Sequence, residues 1–403
     1  MHFIAFISRL EEISYFESLS FQANYTYVSL INLAPDVVWA DPLNLDKAIA
    51  RLQLVHDCNP FVAVLNRKEK CAIVASLISI LLNLPLICRD PQLIRDKYRM
   101  RLALNGGHVF PRTVLIRSQQ DLDRVTEDMF PCIIKPRFGF NSRAAQLALH
   151  RAELISAYQE NHQRYACISK QDCTNSDFVV EEMIGGSEHN VETLVHEGQP
   201  ILHFISDKLT MQPPFFVEIG DNVPTHLSSY QQEICRRAAE QAIARLGIVN
   251  GWTHSEVKLN GVQAIVVETA ARMGGGYFDA LFDLVYGLDR MQLLIRMLAF
   301  GRQALDHNYP NLLHAAARRI VVYGPSRFYR VEGLDHLFND ASTKLLWPGS
   351  VDRIERELAG PPYEFSNTLF EFVVVGSSPQ QAIRKADLIV AHSYRSINTP
   401  MFS

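Results

Sequence analysis

Apolar residues fall along this chain in short runs and alternating stretches that predict a succession of strands and helices. "FVAVLN" (61–66) is an apolar run of strand length, "KCAIVASLISILLNL" (70–84) reads as a packed helix, and "PLICRD" (85–90) as the next strand. That rhythm belongs to parallel sheets, so residues 1–90 are expected to form a small doubly wound unit. "RDKYRMRLALNGG" (95–107) is a basic helix stopped by Gly106 and Gly107, after which "FPRTVLI" (110–116) restarts an extended segment.

From Cys132 the texture becomes that of an α+β unit. "CIIKP" (132–136) and "DFVVEEMI" (177–184) read as strands, with helix-like "RAELISAYQENHQRY" (151–165) between them. "NVETLVHEGQPILHFISDKL" (190–209) alternates across Glu197-Gly198 as a hairpin should, and "HSEVKLNGVQAIVVET" (254–269) does so across Asn260-Gly261. Between them "YQQEICRRAAEQAIARLGI" (230–248) is an amphipathic helix ended by Gly247. A last unit carries strands "ARRIVVYG" (317–324) and "LFEFVVVG" (369–376) and the helix "SPQQAIRKADLIVAHS" (378–393).

Composition narrows the class without naming a chemistry. With 403 residues and 48% apolar content, the chain can bury several cores. Its 39 Lys and Arg against 43 Asp and Glu give −4, so no overall basic field draws in nucleic acid or an anionic membrane. Cys58, Cys71, Cys88, Cys132, Cys167, Cys173 and Cys235 are odd in number, show no CxxC and read as reduced thiols. Arg9, Glu11 and Glu12 interrupt the apolar start, and the longest apolar run, "AIVASLISILL" (72–82), is shorter than the ~20 residues that span a bilayer. A cytoplasmic enzyme or binding protein is expected.

"VVETAARMGGGYFDAL" (266–281) sets Glu268, Arg272 and three glycines behind an apolar run. An anion with its metal needs this combination: the acid holds a cation, the guanidinium grips oxygens, and glycine lets main-chain N–H groups approach. A strand ending in a plain turn reads similarly. Glu256 lies on the facing arm of the same hairpin, and its even spacing of 12 residues from Glu268 is taken to put both on one face. Glu268 is expected somewhat further down the ladder than the residue opposite Glu256. Such a pair suits Mg2+, or two solvated acids.

Lys135 leaves a strand beside a turn containing Gly139, Asn141, Ser142 and Arg143, where it can meet phosphate oxygens or only water. Main-chain groups of Glu182 to Ile184 can pair with a base edge, with Glu188 accepting from hydroxyls; a solvated strand end has the same text.

Taken in order, "RDKYRMRLAL", "CIIKPRFGFNS", "FVVEEMIGGSEHNVETLV", "HSEVKL" and "VVETAARMGGG" resemble the ATP-grasp superfamily. The resemblance runs from about Pro60 to Gly301. It implies an α/β and α+β architecture: an N-terminal doubly wound domain (1–90), a two-part grasp (91–305, divided at about 184) and a C-terminal α+β unit (306–403). It further implies that Lys97 and Lys135 contact ATP phosphates with Ser142 and Arg143, that Glu181, Glu182, Met183 and Ile184 hold adenine, and that Glu188 holds ribose. Glu256 and Glu268 would carry Mg2+, with Mn2+ an acceptable substitute, and Arg272 would grip the transferring group.

The chain departs from the family pattern twice. Ala144 and Ala145 follow Ser142 and Arg143 where the family often has a late glycine, and Ala270 and Ala271 replace the Asn-Pro of its metal motif, removing a third metal ligand. Within the superfamily the carboxylate-amine ligases that join amino acids, of the L-amino acid ligase and carnosine-synthase-like kind, are most similar. His254, Trp252, Lys208, Glu218, Gly274, Gly275 and His226 are then expected near the acceptor, with Phe215 and Phe216 as apolar walls and His254 favoured for substrate contact. The expected partners are small-molecule carboxylate and amine substrates, with a homodimer allowed and neither nucleic acid nor membrane among them. A biotin-carboxylase-like enzyme, a ligase acting on a larger or carrier-bound acid, and a non-catalytic nucleotide-binding regulator are the alternatives.

Overall fold

The computed structural model describes residues 1–21, 23–105, 111–139, 142, 144–171, 176–211, 213–305, 309–310, 313–321, 327–332, 335–338, 340–347, 353–358, 368–395 and 397–398. The chain opens with β1 (His2–Phe6), whose five residues are all buried, as a strand covered on both faces must be. Around it lie helix α1 (Glu12–Ser18), β2 (Asn24–Ser29), β3 (Val38–Trp39), α2 (Asp46–Cys58), β4 (Ala63–Leu65) and α3 (Ala72–Leu81). The four strands form a parallel sheet in the order β3-β2-β1-β4, the doubly wound unit expected from the sequence.

"PLICRD" does not join that sheet. Its ladder contact is a single bridge from Cys88 to Ile248, flanked by hydrogen bonds between Arg89 and Gly247 and between Val249 and Ile87. Leu84, Ile87 and Cys88 are instead buried in one apolar cluster with Leu246 and Ile248. The segment thus ties the N-terminal unit to the central one.

Helix α4 (Lys97–Asn105) leads to a small antiparallel sheet of β5 (Thr113–Ile116), β6 (Cys132–Pro136), β7 (Gln146–Ala148) and β8 (Phe178–Glu182), in the order β5-β8-β6-β7. Helix α5 (Arg151–Gln171) covers it, and Leu154, Ala157 and Tyr158 pack on Ile134, Phe178 and Val180. Gly106 and Gly107, the stop expected for α4, lie outside the described residues.

The second sheet has eight strands. It begins with the hairpin β9 (Ser187–His196) and β10 (Gln199–Thr210), whose turn residues Glu197 and Gly198 take φ 51° and 77°, the left-handed pair that a two-residue hairpin prefers. Next come β11 (Glu218–Val223), helix α6 (Ser229–Arg245), and the hairpin β12 (Gly251–Asn260) and β13 (Gln263–Ala270), then α7 (Phe278–Tyr286) and α8 (Arg290–Phe300). The β12–β13 turn is Gly261-Val262, one residue later than the sequence suggested.

Beyond α8 follow β14 (His314–Val321), β15 (Arg327–Glu332), α9 (Asp335–Phe338), β16 (Thr343–Trp347), β17 (Arg353–Leu358), β18 (Thr368–Gly376), α10 (Pro379–Arg395) and β19 (Ile397–Asn398). The large sheet runs β13-β12-β9-β10-β11-β14-β18-β16, continuous across residue 305, while β15, β17 and β19 pair separately. Helix α6 covers one face through Cys235, Ala239 and Ile243 on Val191, Val195 and Val257. The opposite face of β9 and β12 carries Glu188, Asn190, Glu192, His254 and Glu256, and this polar face builds the site. No helix among the described residues is long and apolar enough to cross a membrane.

Candidate active site

A cavity of about 660 Å³ opens where the three units meet, lined among others by Ser29 and Lys68 of the first, Lys135 and Ser142 of the second and Glu256 of the third. Most of its charge is supplied by residues far apart in sequence.

Glu256 and Glu268 stand directly opposite one another on β12 and β13. The turn pairs Asn260 with Gln263 and Val257 with Val266, so an unbroken ladder would place Val267 opposite Glu256 and turn Glu268 to the other face. A β-bulge at Val267 takes up one residue and brings Glu268 into line. The even spacing read from the sequence would therefore have separated the two acids, and the bulge is what unites them. Buried Arg101 fastens it, donating from its two terminal nitrogens to the carbonyls of Val266 and Val267, each at 2.8 Å.

Arg101 also reaches Glu181, Nε to Oε1 at 2.9 Å, and Lys135 Nζ lies 2.6 Å from the other oxygen. Burial opposes ionisation of Glu181, but the two cations outweigh it and hold the carboxyl down at about 2. Lys97 meets both oxygens of Glu268 at 2.6 Å. Lys208 Nζ stands 2.8 Å from Glu188, 2.9 Å from Glu256 and 3.8 Å from Glu218. Burial works against the Lys208 charge, yet these carboxylates keep its pKa well above the usual lysine range. Lys258 takes the second oxygen of Glu188 at 2.9 Å. Each cation on this wall is thus paired with an acid that a phosphate oxygen can replace as its partner.

Arg272 binds Glu69, and Arg95 Nη1 reaches the same carboxylate at 2.6 Å. Burial opposes the Glu69 charge, but Arg272 and Arg95 bring its pKa to about 2. Arg272 lines the cavity and is further held by its Nη1 donating to the Met273 carbonyl at 2.7 Å. His254 binds Glu192 through Nδ1, leaving Nε2 toward Glu256 at 3.9 Å. Glu192 is itself held by Arg290 at 2.5 Å and by the Gly274 N–H at 3.0 Å.

Glu181, Glu182, Met183 and Ile184 all line the cavity. The side chain of Glu182, however, binds Arg112, and the N–H groups of Glu182 and Met183 are spent on the carbonyls of Arg112 and Pro131 at 3.1 and 3.0 Å. The side chain of Glu181 is likewise paired with Arg101 and Lys135. Ser142 lines the cavity and donates from Oγ to the Phe216 carbonyl at 3.0 Å, while Leu147 N–H bonds Pro214. The small-sheet turn is thereby fastened to the β10–β11 connection. Ala144 has φ 56°, the left-handed region where a glycine is unstrained, at the position the sequence flagged. Asn141 and Arg143 lie outside the described residues.

Four expectations for the acceptor end fail. Trp252 packs in the apolar core beside Phe204 and Phe282, its indole N–H on the Arg290 carbonyl at 2.8 Å, because it shares the face of His254 but lies two residues further along β12, where α7 and α8 cover the sheet. Gly274 does not line the cavity but sits beneath it; a Cβ there would come 2.7 Å from Glu192 and 2.9 Å from His254, so glycine is what lets that pair form. His226 is turned to the α6 side, bound to Asp207 at 2.5 Å. Lys208, Glu218, His254, Gly275 and Phe216 do line the cavity, whereas Phe215 packs with Met211 and Val217. Residues the sequence reading missed are Glu69, Arg101, Glu192, Asp221, Lys258 and Tyr277. All of them act through partners distant in sequence, Lys258 included, although it sits within the quoted "HSEVKL".

The two opposed carboxylates fit a hard divalent ion that completes its shell with phosphate oxygens. Among the described residues no group of three or more His, Cys, Asp or Glu forms a protein-only metal cage.

Comparison with known proteins agrees with this arrangement. The family model described as an ATP-grasp domain matches residues 128–279. Carnosine synthase 1 of Homo sapiens is 23% identical over 261 residues, covering 59% of this chain and 30% of that protein. Alanine–anticapsin ligase of Bacillus subtilis is 26% identical over 227 residues, covering 52% of this chain and 48% of its own length. The chain thus spans a third to a half of these curated relatives. The L-amino acid ligase from Bacillus licheniformis superposes with a TM-score of 0.74 at 19% identity, covering 100% of this chain and 99% of the other, so the fold is shared from end to end.

Proposed function

We propose that this chain, which carries an ATP-grasp domain and has that fold, is an ATP-dependent carboxylate-amine ligase. It joins small molecules, amino acids foremost, through an acyl phosphate and releases ADP and phosphate. One observation carries the reading: two acids made to face each other by a bulge share a cavity with Lys97, Lys135, Lys208 and Arg272. The names of the relatives, a carnosine synthase and an alanine–anticapsin ligase, support the amide-forming chemistry.

In this reading Lys97 and Lys135 leave their carboxylates for ATP phosphates, which Ser142 and Arg143 also contact. The base edge meets the main chain at Ile184, beyond the anchored N–H groups of Glu182 and Met183, and Glu188 accepts from the ribose. Glu256 and Glu268 hold Mg2+, or Mn2+ in its place, which when bound offsets charge on the phosphate oxygens. Arg272, fixed by Glu69, grips the transferring phosphoryl group, and His254, oriented by Glu192, contacts the acyl group. Lys208, Glu218 and Gly275 face the acceptor. The tie from Ser142 and Leu147 to the β10–β11 connection keeps water from the acyl phosphate. Residues 1–90, 91–305 and 306–403 act as the N-terminal, grasp and C-terminal parts, and the reaction is placed in the cytoplasm.

A screen of amino acids in pairs for ATP-dependent phosphate release, followed by mass measurement, tests the proposal. A condensed product less one water supports it. Bicarbonate-dependent cleavage stimulated by biotin, or ATP binding without turnover by any pair, overturns it.

A further inference from the structure

One tyrosine hydroxyl joins two carboxylates in the wall of the cavity. Tyr277 Oη lies 2.6 Å from Glu218 Oε1 and 2.8 Å from Asp221 Oδ2. An O–H donates to one acceptor, so the second of these contacts requires a proton on the carboxyl itself. The surroundings decide which carboxyl has it. Asp221 is fully buried in β11, and its other oxygen accepts from Asn190 Nδ2 at 2.9 Å and Ser206 Oγ at 2.6 Å, both neutral. Glu218 lines the cavity, with Lys208 Nζ at 3.8 Å and Arg319 Nη1 at 3.9 Å from its carboxylate. The cations are gathered at Glu218, so the negative charge belongs there.

The remaining groups facing this trio agree. Arg319 lies over the Tyr277 ring at 5.3 Å and is shared with Glu371 of β18 at 2.6 Å. Burial and the neighbouring Glu218 charge push the Asp221 carboxyl well above the usual carboxylate range, and burial does the same to the Tyr277 phenol.

Resting on the ligase reading, we propose that neutral Asp221 donates its proton to Tyr277, that Tyr277 donates to Glu218, and that Glu218, held ionised, is the catalytic base for a charged acceptor amine. The ammonium N–H breaks and an O–H forms on Glu218, which frees the nitrogen lone pair. The amine then attacks the acyl carbon, and the carbon–oxygen bond to phosphate breaks with its electron pair on the phosphate. The second nitrogen proton leaves with the phosphate, and Glu218 returns its proton to water when the cavity opens. Asp221 and Tyr277 are positioning residues.

Difference infrared spectroscopy across a neutral-to-alkaline pH jump tests the proton count without any substrate. A protonated-carboxyl band is expected in the wild-type protein and in Glu218→Gln, and is lost in Asp221→Asn. Its loss in Glu218→Gln with retention in Asp221→Asn, or its absence from the wild type, overturns the assignment. With a productive acid and amine from the screen, Glu218→Gln lowers amide formation about a hundredfold. The loss is several-fold smaller with hydroxylamine, which is unprotonated at neutral pH; an equal loss with both nucleophiles removes Glu218 as the base. Asp221→Ala lowers kcat, and Asp221→Asn, whose amide can donate to Tyr277, recovers most of it; failure of that rescue in a folded protein contradicts the positioning role. If no pair gives a product, the ligase reading falls, while the infrared result still decides where the proton sits.

Discussion

Glu256 faces Glu268 across the β12–β13 ladder only because Val267 is set out of register. The side-chain period of a strand is two, so one extra residue moves Glu268 from the α6 face to the cavity face. Inserting one alanine between Val267 and Glu268 should give a folded chain in which Glu268 falls opposite Ser255 and points away, and ATP turnover is lost, as coupled ADP assays and circular dichroism would report. Turnover retained in the insertion would separate the register of Glu268 from function.

Arg101 clamps that bulge and neutralises Glu181 from 80 residues away. Arg101→Met should cost about 3–5 kcal/mol in chemical denaturation, the range for breaking a buried pair, because Glu181 then keeps only Lys135. A cost within that of an ordinary surface substitution would contradict the clamp.

Glu268→Gln keeps shape and removes charge. Turnover should fall by about 2 to 4 kcal/mol in activation free energy, the scale of lost electrostatic stabilisation at a transition state. Near-normal kcat in steady-state kinetics would rule out the metal assignment.

Glu188→Ala should raise KM for ATP more than it lowers kcat, since a ribose contact is made equally in the ground and transition states. The kinetic split matters here because Lys208 and Lys258 both lose a partner. A pure loss of kcat would move Glu188 to the chemistry.

Stability should depend on acid in a defined window. Glu69 and Glu181 are held at about 2 in the folded chain against an ordinary 4.5. A depressed folded value means that their contribution is complete above pH 4.5 and lost as pH falls toward 2, at up to about 1.4 kcal/mol per pH unit for each group. Urea titrations between pH 6 and pH 3 should show this fall, and Glu181→Gln should make it shallower. An unchanged slope in that variant would place the acid sensitivity elsewhere.

Much of the fold was legible because it is written in local patterns. Both hairpins, helices α3 to α6 and the helix α10 follow from periodicity and from turn residues such as Glu197-Gly198 and Gly247. "PLICRD" misled because an apolar run of that length reads as a strand whether or not a sheet edge is available to it. At the site, the order of Lys97, Lys135, Glu188, Glu256, Glu268 and Arg272 was readable, whereas their partners were not. Arg272 pairs with Glu69 across 203 residues and Lys97 with Glu268 across 171, and no local rule links such positions. Trp252 failed for another reason: it shares a strand face with His254, which suggested the cavity, but two residues further along that face is covered by α7 and α8.

The most direct test of the account is the nucleotide product. Chromatography of the quenched reaction, with the acid and amine found by the screen, should show ADP and phosphate formed one for one with amide, and little ADP from the acid alone. AMP and pyrophosphate as the main products would contradict phosphoryl transfer at this site.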